Sequence, residues 1–207
     1  MKSDTLYVIL SSPSGAGKST ISRMLLDKCS DFGLSISNTT RKPRDGEIEG
    51  QHYYFTPEDA FKQSIVDENF LEYAKVHGNY YGTKNSEVEK IVKSGHDPLF
   101  DIDWQGANSI RKQLDYNHIL SIFILPPSLT ELQRRLEARA KDSTEVIQKR
   151  ISIAIEEIKH YQEYDYVFIN DNLQDTFNTI WNVYLQKKND LRQKNTIRTF
   201  VNKLLAD

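Results

Sequence analysis

Leu6-Tyr7-Val8-Ile9-Leu10 runs straight into Ser11-Ser12-Pro13-Ser14-Gly15-Ala16-Gly17-Lys18-Ser19-Thr20, and a helix-forming stretch continues to about Cys29. A short apolar run, a glycine-containing loop and a helix start are the context that a phosphate-binding loop requires. Glycines at 15 and 17 let the backbone turn its N–H groups inward around a polyphosphate, and the helix starting near Lys18 adds the positive end of its dipole. Lys18 is placed to reach the β- and γ-phosphates, and the Ser19 hydroxyl to ligate magnesium. Ser12 through Thr20 are therefore the expected triphosphate-binding segment. Ser12 stands where the usual G-x-x-x-x-G-K-[ST] pattern has its first glycine. The competing reading is a plain strand-to-helix turn, but Gly-Lys-Ser at such a junction has little structural purpose without a phosphate.

The same alternation of apolar run and helical pattern recurs along the chain. Pro98–Asp103 precedes a helical stretch over 104–114, Ile119–Leu125 one over 128–140, and Tyr166–Asn170 one from 173 to about 190. Alternation of this kind predicts an α/β fold with a parallel sheet flanked by helices, and nearly continuous apolar strands predict that both sheet faces are covered. Ser128-Leu-Thr-Glu131 fits a capping box, and Thr56-Pro57 an N-cap followed by proline at the first helical position.

With 207 residues the chain suits one domain, or a core with an inserted subdomain. Its 27 basic and 29 acidic residues argue against a nucleic-acid or membrane-surface field. The single cysteine, Cys29, rules out an internal disulfide. The N-terminus lacks an export pattern and no run is long enough to span a bilayer, so a reducing, cytoplasmic setting is expected. Five histidines, at 52, 77, 96, 118 and 160, are scattered without metal-ligand spacing and receive no role. The basic stretch from Gln186 reads as a solvated helix face, with pairing to a second copy of the chain left open.

Between 38 and 95 the texture changes to short aromatic strands around 53–55, 70–76 and 79–81, with helices at 57–68 and 85–94 and a hairpin turn at His77-Gly78-Asn79. This region reads as an insertion into a core made of 1–37 and 96–207. It opens with Ser37-Asn-Thr-Thr-Arg41-Lys-Pro-Arg44, which puts two guanidinium groups beside hydroxyls on a segment broken by proline. Two such planar donor forks on a short turn can hold one phosphate dianion from two directions. Tyr53 and Tyr81, in the strands that follow, offer phenolic hydroxyls to complete that shell.

Glu72 interrupts Phe70-Leu71-Glu72-Tyr73, so it either faces solvent or holds a specific donor. Strand alternation puts Asp101 and Asp103 on one side. Guanine presents N1–H and N2–H₂ as adjacent donors and O6 as an acceptor, which calls for a carboxylate plus hydroxyl donors. Glu72 with the hydroxyls of Ser37 and Thr83 is such a set. Adenine in the same place leaves groups unpaired.

Taken together, the segments SPSGAGKS (12–19), SNTTRKPRDGE (37–47), FLEYAKVHGNYYGT (70–83), LFDIDWQGA (99–107) and RRLEAR (134–139) followed by Lys149-Arg150 resemble the guanylate kinase family from about residue 5 to 171. The resemblance implies transfer of the γ-phosphoryl group of ATP to GMP with Mg²⁺, dGMP use being left open. It implies GMP-phosphate contacts from Arg41, Arg44, Tyr53 and Tyr81, and guanine contacts from Ser37, Glu72, Thr83 and Asp103. Asp101 is expected to organise magnesium through its waters. Arg135 and Arg139, four apart on one helical face, and Arg150 are expected to join Lys18 and Arg41 as the catalytic charges.

A polar segment at 140–144 reads as a mobile lid, taken with its flanks to span about 138–150. Ala138 and Ala140 flank Arg139 where the family often has glycines, which leaves lid closure kinetics open. Two other readings use part of the pattern. A kinase for AMP or a pyrimidine nucleotide shares the loop but not the Glu72, Ser37 and Thr83 set. A non-catalytic module that binds phosphoproteins need not keep the ATP machinery, whereas Lys18, Ser19, Asp101 and all three arginines are present here.

Overall fold

The computed structural model describes residues 4–76, 78–139 and 144–206, apart from the side chains of Arg139 and Thr144. Five parallel strands form its centre: β1 (Tyr7–Ser11), β2 (Phe32–Leu34), β7 (Asp97–Asp101), β8 (Ile119–Leu125) and β9 (Tyr166–Ile169), in the order β2-β7-β1-β8-β9. Strands consecutive in the chain are joined by crossovers that contain helices, the connection that parallel strands require. Alternation along β1 divides the core. Leu6, Val8 and Leu10 face α1 (Lys18–Lys28) and α7 (Leu173–Leu204), where Ile21, Leu25, Ile180 and Tyr184 meet them. Tyr7 and Ile9 face the opposite layer, with Val88 and Val92 of α3 (Asn85–Lys93) and Ala107 and Ile110 of α4 (Trp104–Gln113).

A second sheet has the order β4-β3-β6-β5, from β3 (Asn38–Thr39), β4 (Tyr54–Phe55), β5 (Phe70–Val76) and β6 (Asn79–Lys84). Its β3–β4 pair is parallel and the other pairs are antiparallel. Phe61 of α2 (Glu58–Val66) is fully buried there, stacked on Phe70 and Tyr80. Gln113 of α4 donates to the Leu71 carbonyl of β5 at 2.6 Å, so the small sheet is docked on the central layer. α5 (Leu129–Arg139) and α6 (Thr144–Ile158) pack together through Leu132, Leu136, Ile151 and Ala154.

Several expectations change. β2 and β3, three and two residues long, have too little periodicity to be read. β9 is the sheet's outer strand, and Tyr166, Val167 and Ile169 are exposed, so its apolar run is not covered on both faces. α7 continues to Leu204, well past 190, as a mostly polar helix. The Thr56 hydroxyl accepts from Asn38 at 2.9 Å and α2 begins at Glu58, so Thr56 does not cap it. At α5 half the capping box forms: Ser128 Oγ accepts the Glu131 N–H at 3.0 Å, but the Glu131 carboxylate turns to Arg134 and Arg135. Asp103 does not continue the strand; it caps α4, accepting the Gly106 N–H at 3.0 Å. The turn residue His77 and residues 140–143 of the lid segment lie outside the described residues. None of the described helices is long and apolar enough to cross a membrane.

Candidate active site

β1 ends at Ser11 and α1 begins at Lys18, so the intervening loop lies at the carboxyl end of the sheet's central strand, where α/β folds bind ligands. Gly15 and Gly17 take φ of 94° and 106°, values open to glycine and strained for other residues. Ser12 is not among the positive-φ residues. That is why serine is accommodated where a glycine was expected.

The loop is braced from β9. Asn170 Nδ2 donates to the Ala16 carbonyl at 2.7 Å, the Asn170 N–H donates to Leu125 O at 2.8 Å, and the Asn170 carbonyl accepts from Arg135 at 3.2 Å. Lys18 Nζ donates to the Asp101 carboxylate at the end of β7. Burial works against the charge on Lys18, but the adjacent Asp101 outweighs it, and the ammonium pKa is raised overall. Ser19 and Asp101 both line a cleft of about 450 Å³ that Ser37, Arg44, Glu47 and Tyr53 close from the other side. Ser19 and Asp101 offer only oxygen, the donor type that suits magnesium.

On the far wall, Arg41 is held on three sides. Its Nε donates to the Tyr81 hydroxyl at 3.2 Å, its two terminal nitrogens donate to the Glu47 carboxylate at 2.9 and 2.7 Å, and its carbon lies 5.3 Å from the Tyr53 ring centre. Glu47 also accepts the Arg44 N–H at 2.7 Å, which fixes the turn carrying both arginines. The Arg41 hydrogen bonds, foremost, hold the Glu47 carboxyl below its ordinary range.

Glu72 resolves to the buried alternative. It is 4 % exposed, opposite Thr83 in the β5–β6 register, and bonded to the Thr83 hydroxyl and main-chain N–H. Ser37 Oγ lies 3.4 Å from Thr83 Oγ1. Burial pushes the Glu72 carboxyl up to about 7, with nearby Asp103 adding to the rise. Gly106 makes room for it, since a Cβ there would sit 2.6 Å from Glu72 Oε2.

Of the sequence-selected residues, Ser19, Ser37, Arg44, Tyr53 and Asp101 line one cleft; Lys18 adjoins it through Asp101, Arg41 and Tyr81 through Glu47 and Tyr53, and Glu72 and Thr83 through Ser37. Asp103 stands near both Lys18 and Glu72. Arg135 is engaged by Glu131 at 2.8 Å and by Asn170. Arg150 is half-buried on α6, and the Arg139 side chain is outside the described set. The sequence reading missed Glu47 and Asn170. Spacing carried a signal for Glu47, three residues after Arg44, and position carried one for Asn170, which directly follows an apolar parallel strand.

A parallel sheet with a phosphate loop after its central strand, facing a small subdomain with an anion grip and a buried carboxylate, defines a P-loop nucleotide kinase. The chain belongs to the guanylate kinase family, whose model matches residues 4–187. It is 45% identical over 210 residues to guanylate kinase of Escherichia coli strain K12, with both chains fully covered. It is also 46% identical over 202 residues to guanylate kinase of Rhizobium meliloti, covering 98% of this chain and 92% of that one. The crystal structure of guanylate kinase from Anaplasma phagocytophilum superposes with a TM-score of 0.74 at 35% identity, covering 91% of this chain and 88% of the other.

Proposed function

We infer that this chain transfers the γ-phosphoryl group of ATP to GMP, giving ADP and GDP, with the loop wall holding the donor and the small-sheet wall the acceptor. The observation that carries the assignment of walls is Glu72. A buried carboxylate flanked by the Thr83 and Ser37 hydroxyls matches the donor–donor–acceptor edge of guanine and mismatches that of adenine. Asp103 extends the same acceptor surface.

Arg41 and Arg44, with the Tyr53 and Tyr81 hydroxyls, take the GMP phosphate. That phosphate is already largely dianionic near neutral pH, its second pKa being about 6, so no strong general base is needed. Catalysis then rests on alignment and charge stabilisation. The N–H groups of Ser12–Thr20 and Lys18 hold the ATP phosphates, and Lys18 leaves Asp101 for them. Ser19 and Asp101, the latter through water, would hold Mg²⁺, which when bound would neutralise the charge that develops on the phosphates.

Arg135, Arg139 and Arg150 cover the charge that remains on the transferring group. Residues 38–95, save α3, which packs on the central sheet, act as the acceptor subdomain and about 138–150 as a lid; their approach to the loop excludes water, the competing acceptor. A coupled ADP-formation assay across nucleoside monophosphates tests the acceptor assignment. GMP turnover far above that of AMP, CMP and UMP is expected, and comparable AMP turnover overturns it.

A further inference from the structure

One carboxylate faces the phosphate loop without a part in the chemistry so far. Glu157, near the end of α6, directs Oε2 at the Ser14 N–H, 3.3 Å away and 143 residues distant in sequence. A carboxylate beside a loop that receives a polyphosphate is electrostatically unfavourable while it is ionised. Burial keeps that cost down by pushing the Glu157 carboxyl up to about 7, with Asp103 adding to the rise and Lys18 opposing it.

The surroundings indicate what the contact sets. Ile147, Arg150, Ala154 and Glu157 follow one another at spacings of three, four and three, so all four lie on one face of α6. Ile147 and Ala154 are buried, and Ala154 packs with Leu132 and Leu136 of α5. Those two leucines also press on the loop, because a Cβ on Gly15 would meet them at 3.0 and 3.1 Å. The loop, α5 and α6 thus form a closed circuit: Gly15 to Leu132 and Leu136, these to Ala154, and one turn further along α6 Glu157 back to Ser14. The apolar part of the circuit sets how far α6 stands from the loop. It does not fix the rotation or sliding of the helix, whereas a directional hydrogen bond does.

We propose that Glu157 is a positioning residue that pins α6 to the phosphate loop and so sets Arg150, two turns earlier on the same face, against the transferring phosphoryl group. The tether and Arg150 are about 10 Å apart along the helix axis, the rise of seven residues. A shift of about 1 Å in such a group is enough to cost on the order of 100-fold in rate. This inference rests on the catalytic role given to Arg150 above, and its test separates the two.

The test compares Glu157→Ala, Glu157→Gln, Arg150→Ala and the Glu157→Ala/Arg150→Ala double variant. kcat and KM are measured, along with hydrogen exchange of the amides around Ser14. Glu157→Ala is expected to lower kcat by roughly 10- to 100-fold with little change in KM for GMP. Glu157→Gln, whose amide oxygen still accepts from Ser14, is expected to restore most of it. In the Arg150→Ala background the Glu157→Ala effect is expected to vanish, because the group it positions is gone. Ser14 protection is expected to drop in Glu157→Ala and return in Glu157→Gln.

Multiplicative effects of the two substitutions, or a Gln variant as impaired as the Ala variant, overturn the proposal. So does unchanged Ser14 exchange, a readout that holds even if the chain fails to phosphorylate GMP. An Arg150→Ala variant with normal kcat overturns the role of Arg150 and the kinetic part of the tether with it, leaving the exchange result to judge the contact alone.

Discussion

The Arg41 guanidinium and the Glu47 carboxylate meet fork to fork, at 2.7 and 2.9 Å, on the wall assigned to the GMP phosphate. A carboxylate thus occupies the two-pronged edge of Arg41 that suits a phosphate, and the incoming dianion must share or take that edge. Its own two-pronged grip is the interaction at stake.

Arg41→Ala is expected to raise KM for GMP by about 10- to 100-fold, the equivalent of about 1.5–3 kcal/mol for hydrogen bonds to a charged group. KM for ATP is expected to stay nearly unchanged. Steady-state kinetics with each substrate varied in turn checks this, and equal rises in both constants contradict the assignment of walls.

Glu72 gives a pH dependence with a definite sign. Its folded-state carboxyl titrates at about 7, above the ordinary value near 4.5. Its contribution to stability is therefore fully present below the unfolded pKa and is lost as pH rises through about 7. The proposed guanine contact requires the ionised form of Glu72, so KM for GMP is expected to fall as pH rises across the same interval. Glu72→Gln is expected to be more stable than the parent at pH 8, by up to about 3 kcal/mol, and to lose most GMP affinity. Urea unfolding at pH 5 and pH 8 reads the first effect; a parent and variant with the same pH slope contradict it.

The phosphate loop is expected to be sensitive to groups that never touch phosphate. A Cβ on Gly17 would lie 2.3 Å from Asn170 Nδ2, at a φ that alanine adopts only under strain. Gly17→Ala is accordingly expected to abolish ATP binding. Asn170→Ala removes the Ala16 brace and is expected to weaken ATP binding by roughly tenfold. Calorimetric titration with a non-hydrolysable ATP analogue measures both, and parent-like affinity in Gly17→Ala contradicts the account.

Far from the cleft, Asp97 at the start of β7 is 2 % exposed and accepts from Lys188 at 2.7 Å, from Tyr184 at 2.9 Å and from the Leu6 N–H at 2.9 Å. This cluster ties α7 to β7 and to Leu6, just before β1. Asp97→Ala leaves the Lys188 ammonium buried beside an apolar side chain, and is expected to cost about 3–5 kcal/mol in urea unfolding. The kcat of the folded fraction should not change. A loss of kcat without a loss of stability contradicts a purely structural role.

The groups legible in the sequence are those whose chemistry has a spacing. Gly-Lys-Ser after an apolar run, Arg41 with Arg44, and Glu72 set among bulky apolar residues all point to partners of known chemistry before any fold is known. The long strands and helices were legible through periodicity. β2 and β3 were not, because they exist through ladder pairing to β7 and β6. The exposure of β9 depends on its outer place in the sheet, a tertiary fact. The grip of Glu47 on Arg41 and the bracing of Ala16 by Asn170 are defined by partners up to 154 residues away, so spacing and position only hint at them. Asp103 misled because a strand-end pattern and a helix-cap pattern coincide there, and the cap prevailed.

The central claim is that one cleft carries a phosphoryl group from ATP on the loop wall to GMP on the small-sheet wall. ADP formation from ATP, measured with and without GMP for the parent chain and for Lys18→Ala, tests it most directly. ADP formation is expected to depend on GMP in the parent and to be lost in Lys18→Ala; ADP formation indifferent to GMP, or a Lys18→Ala variant as active as the parent, contradicts that claim.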